Sequence, residues 1–267
     1  MKILITGGAG FIGRRIEERL KDKYELIIFD KKKGLDITNP HDFRGLETDC
    51  VIHLAALLKS RNPEEMLAVN LKGTMNVLEF CKAQRARLVF ASSAAVYGIV
   101  DSPIKEEAGK HPASFYGLTK LFGEQLCDFY HEHVDSIILR FFNVYGPGQE
   151  AGFLIPDIVS QLGNERVELQ NLFPKRDYIY VDDVAEAVQK SLNLTSGHTI
   201  NIGTGKSYSA REIAEKLAGG EAEFKEGTKN REDIYADISK ARRLLDWEPK
   251  VSLDEGLKKV VMETKNN

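Results

Sequence analysis

The stretch KILITGGAGFIG, residues 2–13, limits what this chain can fold into more than any other. A short apolar run stops at a cluster of glycines, and an amphipathic stretch follows over 11–22. The pattern predicts a buried strand that turns directly into a helix. Gly7, Gly10 and Gly13 stand in G-x-x-G-x-x-G spacing. Glycines there allow a sharp turn and a close approach of the backbone to a ligand. The first turn of the helix, with Phe11 and Ile12, then presents unpaired N–H groups that suit a phosphate.

The strand signal recurs in ELIIF (25–29), CVIHLA (50–55), RLVFAS (87–92) and SIILRFF (136–142), with helical stretches near 63–83 and 114–134 between them. Nearly continuous apolar strands alternating with helices predict a parallel sheet covered on both faces. This is the doubly wound α/β class with Rossmann-type topology. In that class an acidic residue ending the second strand accepts hydrogen bonds from ribose hydroxyls. Asp30 holds that place and would repel a 2′-phosphate, so NAD is the expected cofactor rather than NADP. Asp36 and Ile37 follow on a loop within reach of an adenine. Leu54, Ala55 and Ala56 belong to HLAA, whose small residues leave room for the cofactor backbone.

Beyond Phe142 the rhythm changes. A Gly/Pro-rich loop, NVYGPGQEAG, precedes shorter, mixed elements. They read as a helix near 153–162, strands at 176–181 and 199–203, and helices from Asp182 and near 209–218, 239–245 and 253–265. This predicts an NAD-binding domain over 1–150, to which 176–205 partly returns, and a smaller C-terminal α/β substrate lobe mainly over 151–267.

The 267 residues suffice for such a core. A formal net charge of −3 gives no reason to expect nucleic acid, whose binding needs a basic face. No apolar run reaches the ~18 residues of a membrane span, and MKILITGGAG lacks a signal-peptide layout. A cytoplasmic protein is expected. Cys50, Cys81 and Cys127 form no C-x-x-C pair and read as buried free thiols. Lys31, Lys32 and Lys33 read as a solvated loop, and His131 and His133 as surface residues. No metal site is expected.

Chemistry concentrates in two places. Tyr116 and Lys120, in FYGLTK, stand four apart and share one face of a helix. An ammonium near a phenol favours the phenolate and is expected to lower the tyrosine pKa. Such a tyrosine can take a proton from a sugar hydroxyl while hydride leaves the same carbon. Ser92 and Ser93 end the fourth strand at the edge where open α/β sheets bind ligands. A hydroxyl there can bond the reacting oxygen and relay its proton to Tyr116.

With these residues in place, the chain resembles the NAD-dependent epimerase/dehydratase family, the extended short-chain dehydrogenases/reductases that act on nucleotide sugars. The resemblance runs through GGAGFIG, VIHLAA, VNLKGTMNVLEFC, SSAAVYG, YGLTK, RFFNVYGPGQ, RDYIYVDDVAEAV, NIGTG and ADISKARRLLDWEP, almost the whole chain. It implies that Ser93 is the catalytic hydroxyl, Tyr116 the base, and Lys120 its partner and a ligand of the nicotinamide ribose. Asn70 falls in the cofactor-side motif. Asn143 and Arg176 match positions that contact the substrate diphosphate. Arg231 is implied as a second phosphate contact, and Asp233 as a contact of the nucleotide ribose. Lys59 falls near a substrate-contacting lysine, and Phe153 stands where many relatives place a polar residue.

After the catalytic serine, the family's 4,6-dehydratases carry acidic residues for the elimination step, and its uronate decarboxylases tend to keep a glutamate. Ala94 and Ala95 can neither donate nor accept a proton. The resemblance therefore implies a 4-epimerase, interconverting UDP-glucose and UDP-galactose through a 4-keto sugar. Two other readings stay open. One is a nucleotide-sugar or sugar oxidoreductase of the 4-ketoreductase or uronate dehydrogenase type. The other is a non-catalytic NAD-binding sensor, which an intact Ser93, Tyr116 and Lys120 set argues against. The family commonly dimerises through paired helices. Here that implies a homodimer through 63–83 and 114–134, with Leu121, Phe122, Cys127 and Phe129 as candidate apolar surface.

Overall fold

The computed structural model describes residues 1–163, 167, 169, 174–195, 197–218 and 232–265. Arg231 lies outside the described residues. In chain order the strands are β1 (Lys2–Thr6), β2 (Glu25–Phe29), β3 (Cys50–His53), β4 (Arg87–Ser93), β5 (Ser136–Phe141), β6 (Asn143–Tyr145), β7 (Lys175–Arg176), β8 (Tyr178–Tyr180), β9 (His198–Ile202), β10 (Tyr208–Ser209) and β11 (Asp233–Ile234). The helices are α1 (Phe11–Leu20), α2 (Pro63–Leu67), α3 (Thr74–Gln84), α4 (Phe115–Phe129), α5 (Leu154–Val159), α6 (Val181–Ser191), α7 (Ala210–Ala218), α8 (Ser239–Leu245) and α9 (Leu253–Lys265).

The main sheet is parallel throughout, in the order β2-β1-β3-β4-β5-β9. Successive side chains of a strand point to opposite faces, and the strands fill two cores on that rule. Ile3 and Ile5 enter one core with Val89, Leu139 and Ile200, under α1 and α6. Leu4 enters the other with Val51, Leu88 and Phe90, under α3 and α4. This two-sided burial is why the strands read as continuous apolar runs. Ala241, Leu245 and Trp247 also pack into the first core, so the chain returns to the main sheet after β11. The remaining strands form a three-stranded sheet, β10-β7-β11, and a β6-β8 pair. A third core, with Tyr145, Ile158, Ile213 and Leu257, binds α5, α7 and α9 together.

Several elements differ from expectation in detail. The helix expected over 63–83 is broken: a π-helical turn, Ala68–Gly73, separates α2 from α3. The strand expected over 176–181 is two strands parted at Asp177. Asp177 is fully buried, and its carboxylate accepts from Thr204 N–H and O–H, Gly205 N–H and Ala236 N–H. Its N–H donates to the Ile234 carbonyl at 3.0 Å and its carbonyl accepts from the Asn143 N–H at 2.9 Å, so Asp177 joins the two small sheets through its backbone while its carboxylate pins the flanking segments. The three cysteines are free and buried, as expected. Of the apolar residues expected on the surface of α4, Phe129 is 79% exposed and Phe122 36%. Cys127 is core, and Leu121 packs against the cluster around Val96 and Tyr97. No helix among the described residues is long and apolar enough to cross a membrane.

Candidate active site

Strand order reverses at β1, with β2 on one side and β3 on the other. The loops leaving β1 and β3 diverge there, and such a crevice is where open α/β sheets take ligands. A cleft of about 1140 Å³ opens at this point. A pocket for one small ligand holds roughly 300–1,000 Å³, and this cleft is at or above the top of that range.

The glycines shape its floor. Gly7 has φ +70°, and a Cβ on it would lie 2.8 Å from the Ala55 nitrogen. A Cβ on Gly13 would lie 2.4 Å from the Gly7 carbonyl oxygen. Only glycine lets β1 turn beneath the 54–56 loop and lets α1 close on that turn. No side chain caps α1, so its first N–H groups remain for an anion. Gly7, Gly10, Phe11, Ile12, Gly13, Asp30, Asp36, Ile37, Leu54, Ala55 and Ala56 all line the cleft. The Asp30 carboxylate accepts from the Ala9 N–H at 3.0 Å and the Lys32 N–H at 2.9 Å. Each oxygen keeps acceptor capacity for a ribose hydroxyl. Burial opposes the charge of Asp36, but the Thr38 N–H and the Lys31 ammonium hold its carboxyl below the usual range. The cradle fits a dinucleotide.

Asn70 behaves differently from expectation: it is buried beneath the cleft wall. Its amide accepts from the Leu57 N–H at 2.7 Å and donates to the Leu57 carbonyl and the Thr119 hydroxyl. It fixes the 54–57 loop from behind. The π-helical turn also frees the Asn70 carbonyl to accept from Thr74 O–H at 2.7 Å. That hydroxyl, already donating, can only accept from His53 Nε2, 2.9 Å away. His53 Nδ1 then accepts from Thr6 O–H at 2.6 Å. Burial, with the nearby Lys120 charge, pushes His53 down to about 3, so the imidazole is neutral. Thr119 in turn donates to the Tyr116 carbonyl. One polar chain thus links the end of β1 to the first turn of α4. The isolated threonines and histidine carry no sequence pattern that announces it.

Tyr116 reaches the cleft because α4 starts close against the turn after β4. Ser114 caps the helix, its hydroxyl accepting from the Gly117 N–H at 3.0 Å. A Cβ on Gly117 would lie 2.4 Å from the Ala95 carbonyl oxygen, so only glycine permits this approach. Ser93, Tyr116 and Lys120 line one end of the cleft, with Ala94 and Ala95 beside them. The two serines separate. Ser92 points inward and donates to Glu124 at 2.6 Å, whereas Ser93 faces the phenol of Tyr116. Glu124 is held by a bidentate ion pair with the buried Arg140, at 2.8 Å on each arm. Arg140 also donates to the Tyr97 hydroxyl, which donates to Asn201. Glu124 lies one turn beyond Lys120, a spacing from which it could have been found.

The expected depression of the tyrosine pKa is not what these side chains produce. Burial pushes Tyr116 up to about 12, and Ser93 only partly counters it. Lys120 is buried, donates to the Ala91 carbonyl at 2.7 Å, and has its ammonium 5.9 Å from the Tyr116 ring centre. Burial brings Lys120 itself down to about 8, against the pull of Cys127 and Glu124. One of its three N–H groups goes to that carbonyl, and burial and Ser93, not a cation, are what shift Tyr116.

On the substrate side, Asn143 and Arg176 line the cleft, and Phe153 faces it beneath Lys59. The Lys59 ammonium sits 4.7 Å from the Phe153 ring centre and donates to the Gly152 carbonyl at 2.6 Å, joining the two rims. Asp233 does not line the cleft; its carboxylate accepts from Ser207 O–H. Because side chains alternate along a strand, its neighbours Glu232 and Ile234 face the cleft instead. Glu232 is a site residue that the sequence reasoning missed.

The comparisons with known proteins agree with this geometry. The model of the NAD dependent epimerase/dehydratase family matches residues 3–203, and the chain belongs to that family. A Methanocaldococcus jannaschii protein provisionally named UDP-glucose 4-epimerase is 36% identical, over 99% of this chain and 99% of that protein. A UDP-glucuronate 4-epimerase of Thermodesulfobacterium geofontis is 33% identical, over 99% of this chain and 96% of its own. The structure of UDP-glucuronic acid 4-epimerase from Bacillus cereus, in complex with UDP-glucuronic acid and NAD, superposes with a TM-score of 0.89 at 29% identity, covering 100% of this chain and 99% of that one. The chain is thus an NAD-dependent enzyme of the epimerase/dehydratase family, and its cofactor is NAD.

Proposed function

We propose that this enzyme is a nucleotide-sugar 4-epimerase that interconverts UDP-glucose and UDP-galactose through a 4-keto sugar. The observation that carries this reading is the turn after Ser93. It brings Ala94 and Ala95 to the Ser93–Tyr116 end of the cleft, where an elimination or decarboxylation would call for a proton-transferring side chain. Bound NAD would supply a reversible hydride acceptor for C4, inversion requiring that the 4-keto sugar turn over before hydride returns, and a positive charge that favours the phenolate. Tyr116 takes the proton of the C4 hydroxyl and gives it back. Ser93 bonds the same oxygen and keeps it aligned. Lys120, whose ammonium is already near the ring, supplies the protein's own positive charge. Asn143 and Arg176 hold the diphosphate, the guanidinium fork matching phosphate oxygens. The enzyme works in the cytoplasm as a homodimer through α3 and α4, where Met75, Phe122 and Phe129 are exposed.

The test is incubation with UDP-galactose and catalytic NAD, without reductant, with the nucleotide sugars resolved by chromatography. UDP-glucose should appear, and one equilibrium ratio should be reached from either side without net NADH. Stoichiometric NADH would replace this reading with an oxidoreductase. Conversion of UDP-glucuronate but not UDP-galactose would keep the epimerase and change the sugar.

A further inference from the structure

Arg176 enters the cleft with its charge already answered. Its Nη2 lies 2.5 Å from the Glu232 carboxylate, and its Nη1 donates to the Lys175 carbonyl at 2.9 Å. The pairing is built into the sheet. β11 runs parallel to β7 with Ile234 opposite Arg176, and the Lys175 N–H donates to the Glu232 carbonyl at 2.6 Å. The alternation of β11 then directs Glu232 into the cleft and Asp233 out of it. Both members of the pair are largely covered, with 30% of the Arg176 side chain and 20% of the Glu232 side chain exposed. Such a pair is screened less than one on an open surface.

This arrangement bears on binding, on the reading that Arg176 receives the substrate diphosphate. A diphosphate brings negative charge to a guanidinium that a carboxylate holds at hydrogen-bond distance. It must share the fork with Glu232 or displace it, and in either case it lies beside a like charge in a partly desolvated wall. We propose that Glu232 is an internal anion that competes with nucleoside diphosphates for Arg176, weakening their binding and hastening their release. The cleft thereby holds its exchanging ligand more loosely than Arg176 alone would.

The experiment is calorimetric titration of the full chain, loaded with NAD, with UDP as the probe. Wild type is compared with Glu232→Gln, Glu232→Asp and Arg176→Met, thermal melting confirming that each is folded. Glu232→Gln should bind UDP about tenfold more tightly, and the KM for UDP-galactose should fall in step. Glu232→Asp, shorter by one methylene, should fall between the two, and Arg176→Met should bind more weakly than wild type. Unchanged or weaker UDP binding by Glu232→Gln would overturn the proposal, the weaker result meaning that Glu232 orients Arg176. That failure is distinct from failure of the nucleotide-sugar reading. In the latter, wild type would bind NAD but not UDP, and both ideas would fall together.

Discussion

The two walls of the cleft are built on different principles. The cofactor wall comes from consecutive residues at the ends of β1 and β3, shaped by glycines that permit no other side chain and braced by buried hydrogen bonds. The substrate wall is assembled from short strands far apart in the chain, and its charged groups are partly exposed and paired with one another. On the epimerase reading proposed above, a cofactor that stays through each cycle suits a rigid, preformed cradle. A substrate that enters and leaves suits a wall whose contacts exchange.

Substitutions can break or sharpen this contrast. The largest effect belongs to Tyr116→Phe, which should cut turnover by roughly 10²–10⁴ while NAD binding and melting temperature hold. Surviving activity in a coupled assay would remove Tyr116 as the base. Next is Arg140→Met. It leaves Glu124 buried without its partner, and denaturant unfolding should register a loss of about 3–5 kcal/mol. A small loss would mean that the wall behind the catalytic helix is softer than its geometry suggests.

Lys120 gives a pH test. Burial lowers it from an ordinary 10.5 to about 8. Between those values the unfolded chain binds a proton that the folded chain does not, so this group makes stability rise with pH across that window. The contribution is up to about 3 kcal/mol. It should be visible as the difference between wild type and Lys120→Met in urea titrations at pH 8 and above, and parallel curves would contradict it. Gly13→Ala should cost about 1–3 kcal/mol by overpacking and weaken NAD binding, because its Cβ would meet the Gly7 carbonyl. Normal NAD affinity would show that the turn yields. The smallest effect on stability should come from Phe129→Ser, within ~0.5 kcal/mol for so exposed a side chain. Sedimentation of that variant should show weaker self-association.

The contrast also decides what could be read without coordinates. Asp30 and Gly7 are legible because each directly follows a strand whose period is plain, and Gly10, Gly13 and Asp36 lie on the short segments that those strands lead into. Ser93 is legible as the end of β4, and Tyr116 from its four-residue spacing to Lys120 on one helix face. The direction of Asp233 is not legible because β11 is a two-residue strand, too short to reveal which face is buried. Glu232 was missed with it. Helical periodicity alone does not show that the Asn70 amide braces the Leu57 backbone from behind the cleft wall.

The doubly wound sheet, the glycine cradle and the grouping of Ser93 with Tyr116 and Lys120 can be read from the amino-acid order alone. Those follow from hydrophobic period and from steric demands that act between near neighbours. Packing alone sets that Ser92 is turned to Glu124, that burial leaves Tyr116 hard to ionise, and that Arg176 is shared with Glu232. Each of these depends on the field and spacing of groups tens of residues apart, brought together when the sheets and helices pack.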